Sequence, residues 1–307
     1  MDLSKSAQTY LIDQVKKKPN RTYLWAELVL SMVHQTGVHT KQDIQRTLSV
    51  LPESVYDAYE KILSRSTNPE KMETILQIIV AAERPFKLVE MEMVLALALA
   101  EDPDTAPFRP GRGRTGGDRR RFANSLRDVC GLFIHIREEK IYLLHQIARE
   151  FLLMRRKDQV PPAGTLKIRP RSASRSRFTN TSRFRPAQAV STLHQRAADR
   201  QQWQHSLDFR DRHNVMVQAC VDYLSLLNTK AGRILSKAPP QMEFLDRKDR
   251  QEIRKACEDY VLLPYAALHW LTHFNAISEA AQDEILNEVM FIIDPNENNN
   301  YLWFAVY

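Results

Sequence analysis

Hydrophobic positions recur along this chain mainly at helical spacing, and the order of the segments they define is the first guide to its architecture. Leu3, Ala7, Tyr10, Leu11 and Val15 predict a helix over residues 3–17. It ends in Lys16, Lys17, Lys18 and Pro19, because cations suit the negative end of a helix and proline stops it. Leu24, Trp25, Leu28, Val29, Met32 and Val33 predict a second helix over 22–35, closed by Gly37, and the two are expected to pack as a hairpin. Thr40 with Asp43 predicts a short third helix over 41–48. Leu51-Pro52 opens a fourth, with Val55, Tyr59, Ile62 and Leu63 as its buried stripe. Together these give a helical, lid-like unit over residues 1–66.

From Pro69 the pattern changes. A helix over 70–82 turns Met72, Ile75, Leu76 and Ile79 inward and breaks at Glu83-Arg84-Pro85; a second, over 88–100, uses Met91, Val94, Leu95 and Ala98. A third covers 122–130 and stops at Gly131. Residues 132–136 and 141–144 then read as two strands joined by the turn Arg137-Glu138-Glu139-Lys140. The second strand runs directly into an amphipathic helix in IYLLHQIAREFLL, with His145 at the junction. Helix, helix, helix, hairpin, helix is the order of a winged-helix domain, here spanning 67–154. After residue 200 helices return over 215–227, 260–274 and 280–293, forming a helical connector domain over 201–307. The chain finishes in NENNNYLWFAVY, an apolar stretch that calls for a surface to pack against, such as further helices in a related protein. The fold class is mainly α, with one small β-hairpin.

Two interruptions break these patterns. Residues 101–121, EDPDTAPFRPGRGRTGGDRRR, hold four of the 8 glycines and read as a flexible insertion in the winged-helix domain. Residues 155–200 read as a disordered Arg/Ser-rich linker. Between Gln159 and Ala198 stand Lys167, Arg169, Arg171, Arg175, Arg177, Arg183, Arg185 and Arg196, with no acid; taking those eight charges from the net +7 leaves −1 for everything else. The basic character belongs to the linker. Within it Arg169 precedes Ser172 by three residues and Arg171 precedes Ser174 by three, a spacing that basophilic kinases favour, which marks both serines as candidate phosphorylation sites.

No apolar run approaches the ~20 residues of a membrane span, and MDLSKSAQTY lacks the apolar core of a signal peptide, so the expected location is the cytoplasm, with the nucleus as the alternative. Cys130, Cys220 and Cys257 are odd in number and show no C-x-x-C spacing, as expected of free thiols. No phosphate loop and no G-x-S-x-G elbow occurs, so an enzyme acting alone is not expected, nor is a bound cofactor. His269 and His273 have the i, i+4 spacing of a metal pair, but Trp270 follows His269 where a zinc protease has its glutamate; packing of an aromatic helix is the expected role, and no metal is expected. Nucleic-acid binding is the alternative function. The third helix of the winged-helix region offers Asn124, Ser125 and Arg127, opposed by Asp128 and by Glu138 and Glu139 on the wing, while the basic segments supply weak, nonspecific affinity for phosphates.

Several of these pieces, in this order, resemble the region downstream of the nucleotide-binding module in fungal STAND (NACHT-type) NTPases, the ankyrin-repeat or WD-repeat proteins linked to nonself recognition. The matching pieces are TYLWAELVL, LPESVYDAYEKIL, ILQIIVAAERPFKLVEMEMVLALAL, SLRDVCGLF, IYLLHQIAREFLL, WQHSLDF, VQACVDYLSL and LLPYAALHWLTHF. The resemblance implies a winged helix that holds a nucleotide module closed in the ADP state. It also implies that the histidine at the strand-to-helix junction, here His145, senses the β-phosphate once a nucleotide domain is supplied. The phosphate loop, the Mg-binding acid and the ankyrin repeats of that family are not in this sequence, and the Arg-rich segments are enlarged. The expectation is therefore a noncatalytic regulatory or protein-interaction module of a truncated or split member, with a protein partner or a NACHT nucleotide-binding domain as its target and no role at a membrane.

Overall fold

A computed structural model describes residues 5–17, 22–35, 52–100, 116–153, 203–207, 209–230, 251 and 260–294. The described residues are mainly helical, with one small antiparallel hairpin. Helices α1 (Lys5–Lys17) and α2 (Tyr23–Gln35) come first, and Leu11 buries against Trp25 and Val29 in a small core of their own. The expected helix over 41–48 and its Thr40–Asp43 cap lie outside the described residues.

Helix α3 (Val55–Leu63) starts later than the proline suggested. Ser54 is its N-cap: the hydroxyl accepts from the Asp57 N–H at 3.1 Å, and the Asp57 carboxylate accepts from the Ser54 N–H at 3.0 Å. This reciprocal box satisfies two amides that the first turn leaves over, so it outcompetes a start at Pro52. Pro52 stays outside the helix, where its carbonyl accepts the Trp25 indole N–H at 3.0 Å and ties α2 to the α3 entry.

Helix α4 (Pro69–Ala81), capped by Asn68, occupies the centre. Met72, Ile75 and Leu76 are buried as their spacing predicts, but so are Glu73, Thr74, Gln77, Ile78 and Val80. A helix buried on so much of its circumference must be covered on more than one side. Helix α8 (Phe209–Lys230) supplies that cover: it packs on α4, on α5 (Leu88–Ala98), on α9 (Leu263–Ala276) and on α11 (Leu286–Ile293). One hydrophobic core consequently runs from Leu24 to Ile292.

Helix α6 (Gly116–Cys130) opens six residues before the expected 122, taking in residues read from the sequence as loop. Asp118 in its first turn suits the positive helix end, and arginine is a good helix former, so Arg119, Arg120 and Arg121 continue the helix despite the glycines that precede them. After a single 3-10 turn at Gly131–Phe133, β1 (Ile134–Arg137) pairs with β2 (Lys140–Leu143) in the register Ile134↔Leu143, His135↔Tyr142, Ile136↔Ile141 and Arg137↔Lys140. The chain before α5 joins them: Leu88 N–H donates to Glu139 O at 2.7 Å and Ile141 N–H to Phe86 O at 2.9 Å. The tip residues Glu138 and Glu139 both have positive φ, at 51° and 60°.

Helix α7 (Gln146–Leu153) closes the hairpin region; Phe151 joins Tyr59 and Phe133 in an aromatic cluster that fastens α3 to the hairpin base. The expected helix over 280–293 is two helices, α10 (Glu279–Glu284) and α11, because the backbone leaves helical values at Ile285 (φ −102°, ψ 9°) as its side chain turns into the core. The Arg/Ser-rich linker, with Ser172 and Ser174, the insertion from 101 to 115, Cys257 and the apolar end after 294 all lie outside the described residues.

Candidate functional site

His145 sits where β2 gives way to α7, as its place in the sequence predicts. Its Nδ1 accepts the Ile147 N–H at 3.2 Å and its carbonyl accepts the Ala148 N–H at 3.0 Å, so the imidazole caps the helix. Accepting through Nδ1 places the proton of the neutral ring on Nε2. The side chain is exposed and, within the described residues, makes no other hydrogen bond. What this residue offers is one N–H donor, held in place by a cap and open to an acceptor such as a phosphate oxygen.

The strand alternation sets the character of the hairpin beside it. Ile134 and Ile141 are buried in the core, while His135, Arg137 and Lys140 are exposed. At the tip, Arg119 from α6 donates to Glu139 at 3.0 Å, so one basic side chain of the region is already neutralised. In the helix weighed for groove binding, Arg127 donates to Asn124 at 3.2 Å and Lys71 donates to the Ser125 hydroxyl at 3.3 Å.

One turn beyond His145, Arg149 donates to the Val80 carbonyl near the end of α4 at 3.2 Å. That end of α4 meets a buried chain of hydrogen bonds that no periodicity announces. The Glu83 N–H donates to the Tyr265 hydroxyl at 3.1 Å; Tyr265 Oη and His273 Nε2 are 2.9 Å apart; His273 Nδ1 and His213 Nδ1 are 2.9 Å apart. The donors fall into a single order. The buried tyrosine O–H needs an acceptor of its own and His273 Nε2 is the one beside it, so the tyrosine donates to His273 Nε2, and His273 carries its proton on Nδ1 and gives it to His213 Nδ1. Burial pushes His213 down to about 4, helped by the charges of Arg212 and Arg149; burial likewise lowers His273 to about 3, helped by His213 and His269. Both rings are neutral at physiological pH, as the donor order requires, and burial raises the Tyr265 hydroxyl far above its usual range.

The spacing of His269 and His273 drew attention to this helix, but the two do different things. His269 packs its ring on Tyr265 with centroids 4.7 Å apart, whereas His273 bonds across to His213, sixty residues earlier on α8. Periodicity carries no information on so distant a pairing. Arg84 closes the outer side, lying 5.2 Å from the Tyr265 ring centroid while both its terminal nitrogens hold Glu90, at 2.8 and 2.7 Å. Among the described residues no group of three or more His, Cys, Asp or Glu is arranged to hold a metal ion, and no helix is long and apolar enough to cross a membrane. Cys130 and Cys220 are free and buried.

Comparison with known proteins adds one relative. The vegetative incompatibility protein HET-E-1 of Podospora anserina is 29% identical over 147 residues, 46% of this chain. The relation to that fungal NACHT-type protein is a distant one. The match covers 9% of HET-E-1, so this chain corresponds to a small part of it. No family model and no solved structure matches the chain.

Proposed function

We propose that this chain is a noncatalytic regulatory module of a STAND (NACHT-type) signalling protein, whose winged-helix-like unit packs against a nucleotide-binding domain. The observation that carries this reading is His145: an imidazole fixed by its own helix cap, presenting one N–H donor at an exposed strand-to-helix junction. The distant relation to HET-E-1 supplies the family context. In this reading His145 donates to the terminal phosphate oxygen of a bound nucleoside diphosphate. Arg149 carries the position of α7 to the end of α4, against which the C-terminal helices are docked.

The test is a binding measurement between the full chain and the nucleotide-binding domain of HET-E-1, emptied or loaded with ADP. Association that strengthens with ADP, and that His145→Ala reduces about tenfold, as expected for loss of a hydrogen bond to a charged acceptor, supports the proposal. Equal or absent association in both nucleotide states removes it. The nucleic-acid reading draws on the exposed His135, Arg137 and Lys140, but the Arg119–Glu139 pair and the internal bonds of Asn124 and Ser125 count against it. Failure to retain duplex DNA at very low salt, where phosphate contacts are strongest, would remove that alternative.

A further inference from the structure

The last turn of α7 and residues 203–207 are hydrogen-bonded neighbours. An α-helix ends with carbonyls that have no partner of their own. At the end of α7 the segment 203–207 supplies partners: His205 N–H donates to Phe151 O at 3.0 Å and Leu207 N–H to Leu152 O at 3.3 Å. Glu60, on α3, takes hold of the same segment. Its carboxylate accepts the Trp203 N–H at 2.7 and 2.9 Å and the Gln204 N–H at 3.1 Å. Trp203 and Leu207 are 5% and 4% exposed, so this turn segment is part of the core and not a surface strap. His205 between them has φ 60°, a conformation a non-glycine residue adopts at a cost, which the bonds on either side offset. From there α8 lies directly on α4 and α5.

We propose that residues up to Leu153 and residues from Trp203 onward are complementary halves of one fold, each the binding partner of the other, and that the covalent connection through 154–202 is not needed to hold them together. Glu60 and the last carbonyls of α7 form the recognition surface for the second half, with two main-chain amides, a buried indole and a buried leucine as its ligand. α8 adds the apolar area. The proposal goes beyond the regulatory function proposed above and does not depend on it.

The experiment starts from the full chain, folded first, with a recognition site for a specific protease introduced between Gly164 and Thr165 and cut afterwards. Both fragments are expected to elute together as one species at micromolar concentration with the near-UV circular dichroism of the uncut chain. The thermal midpoint should become dependent on protein concentration once the tether no longer supplies its effective concentration. Separation of the fragments, or loss of the near-UV signal on cutting, would overturn the proposal. Glu60→Ala in the cut form should raise the dissociation constant of the halves about tenfold, the value of a hydrogen-bonded charge, while the uncut variant keeps its near-UV spectrum. An unchanged dissociation constant would overturn the role given to Glu60.

Discussion

The Tyr265 hydroxyl serves two neighbours in the buried chain, accepting from Glu83 and donating to His273. Tyr265→Phe keeps the ring against Phe86, at a centroid distance of 4.4 Å, but strands an amide and an imidazole nitrogen. The expected loss is about 2–3 kcal/mol, well above that of a surface hydroxyl; chemical denaturation of the two proteins measures it. The histidines give a second expectation. In an unfolded chain both titrate near ~6.5, whereas the folded rings are held down to about 4 and about 3. Below pH ~6.5 the unfolded state takes up protons that the fold refuses, so stability complete above that pH is progressively lost as pH falls towards the folded values. The denaturant midpoint should fall between pH 7 and pH 5, and His213→Asn, which cannot titrate, should flatten the fall. An identical slope in that variant would show that other groups control the acid limb. At this scale the sequence was a partial guide. His145 was legible because a strand pattern met a helix pattern at that position, and its use as a cap follows from the same junction. Tyr265 and His213 were not: Tyr265 was one aromatic among several on an apolar helix, and His213 stood beside the charged run Arg210-Asp211-Arg212 ahead of the expected helix over 215–227, which in fact begins at Phe209.

Among the elements, the hairpin shows best what periodicity can and cannot give. Two apolar runs, 132–136 and 141–144, around the charged turn Arg137-Glu138-Glu139-Lys140 predicted both strands to within two residues at either end. The tip is less expected. A two-residue turn with positive φ at both positions favours Asn-Gly, yet Glu138 and Glu139 stand there. The strain is held by the Leu88 bond to the Glu139 carbonyl and by Arg119 on the Glu139 side chain. Replacing the pair by Asn-Gly should stabilise the protein by about 1 kcal/mol, since relief of two left-handed residues outweighs loss of an exposed ion pair; thermal melting of the double variant decides. Helix α6 was read short because glycines and arginines look like loop, although Asp118 at the helix start was a visible signal for an earlier beginning. The break at Ile285 had no such signal: an isoleucine is an ordinary helix residue, and only its burial sets the turn between α10 and α11.

In the whole molecule the feature that sequence reading missed is the docking of α8 onto α4. Glu73, Thr74 and Gln77 look like a solvent face by type, yet all three are buried. Charge patterning did separate the basic segment from the rest, but it could not show that the end of α7 and residues 203–207 meet. Because they do, the roughly 50 residues between them are a closed loop, and loop-closure entropy grows with length. Replacing 154–202 by about six Gly and Ser residues should therefore raise stability by ~1–2 kcal/mol while leaving the near-UV spectrum unchanged. A destabilised product would mean that the removed residues contribute contacts of their own. The same geometry sets where this lineage is free to experiment. Genes descended from a common ancestor should differ in length between the codons for Leu153 and Trp203 far more than on either side. An acid at the position of Glu60 should persist even where the intervening segment has shrunk to a few residues, since the two ends must still be fastened to each other whatever lies between them.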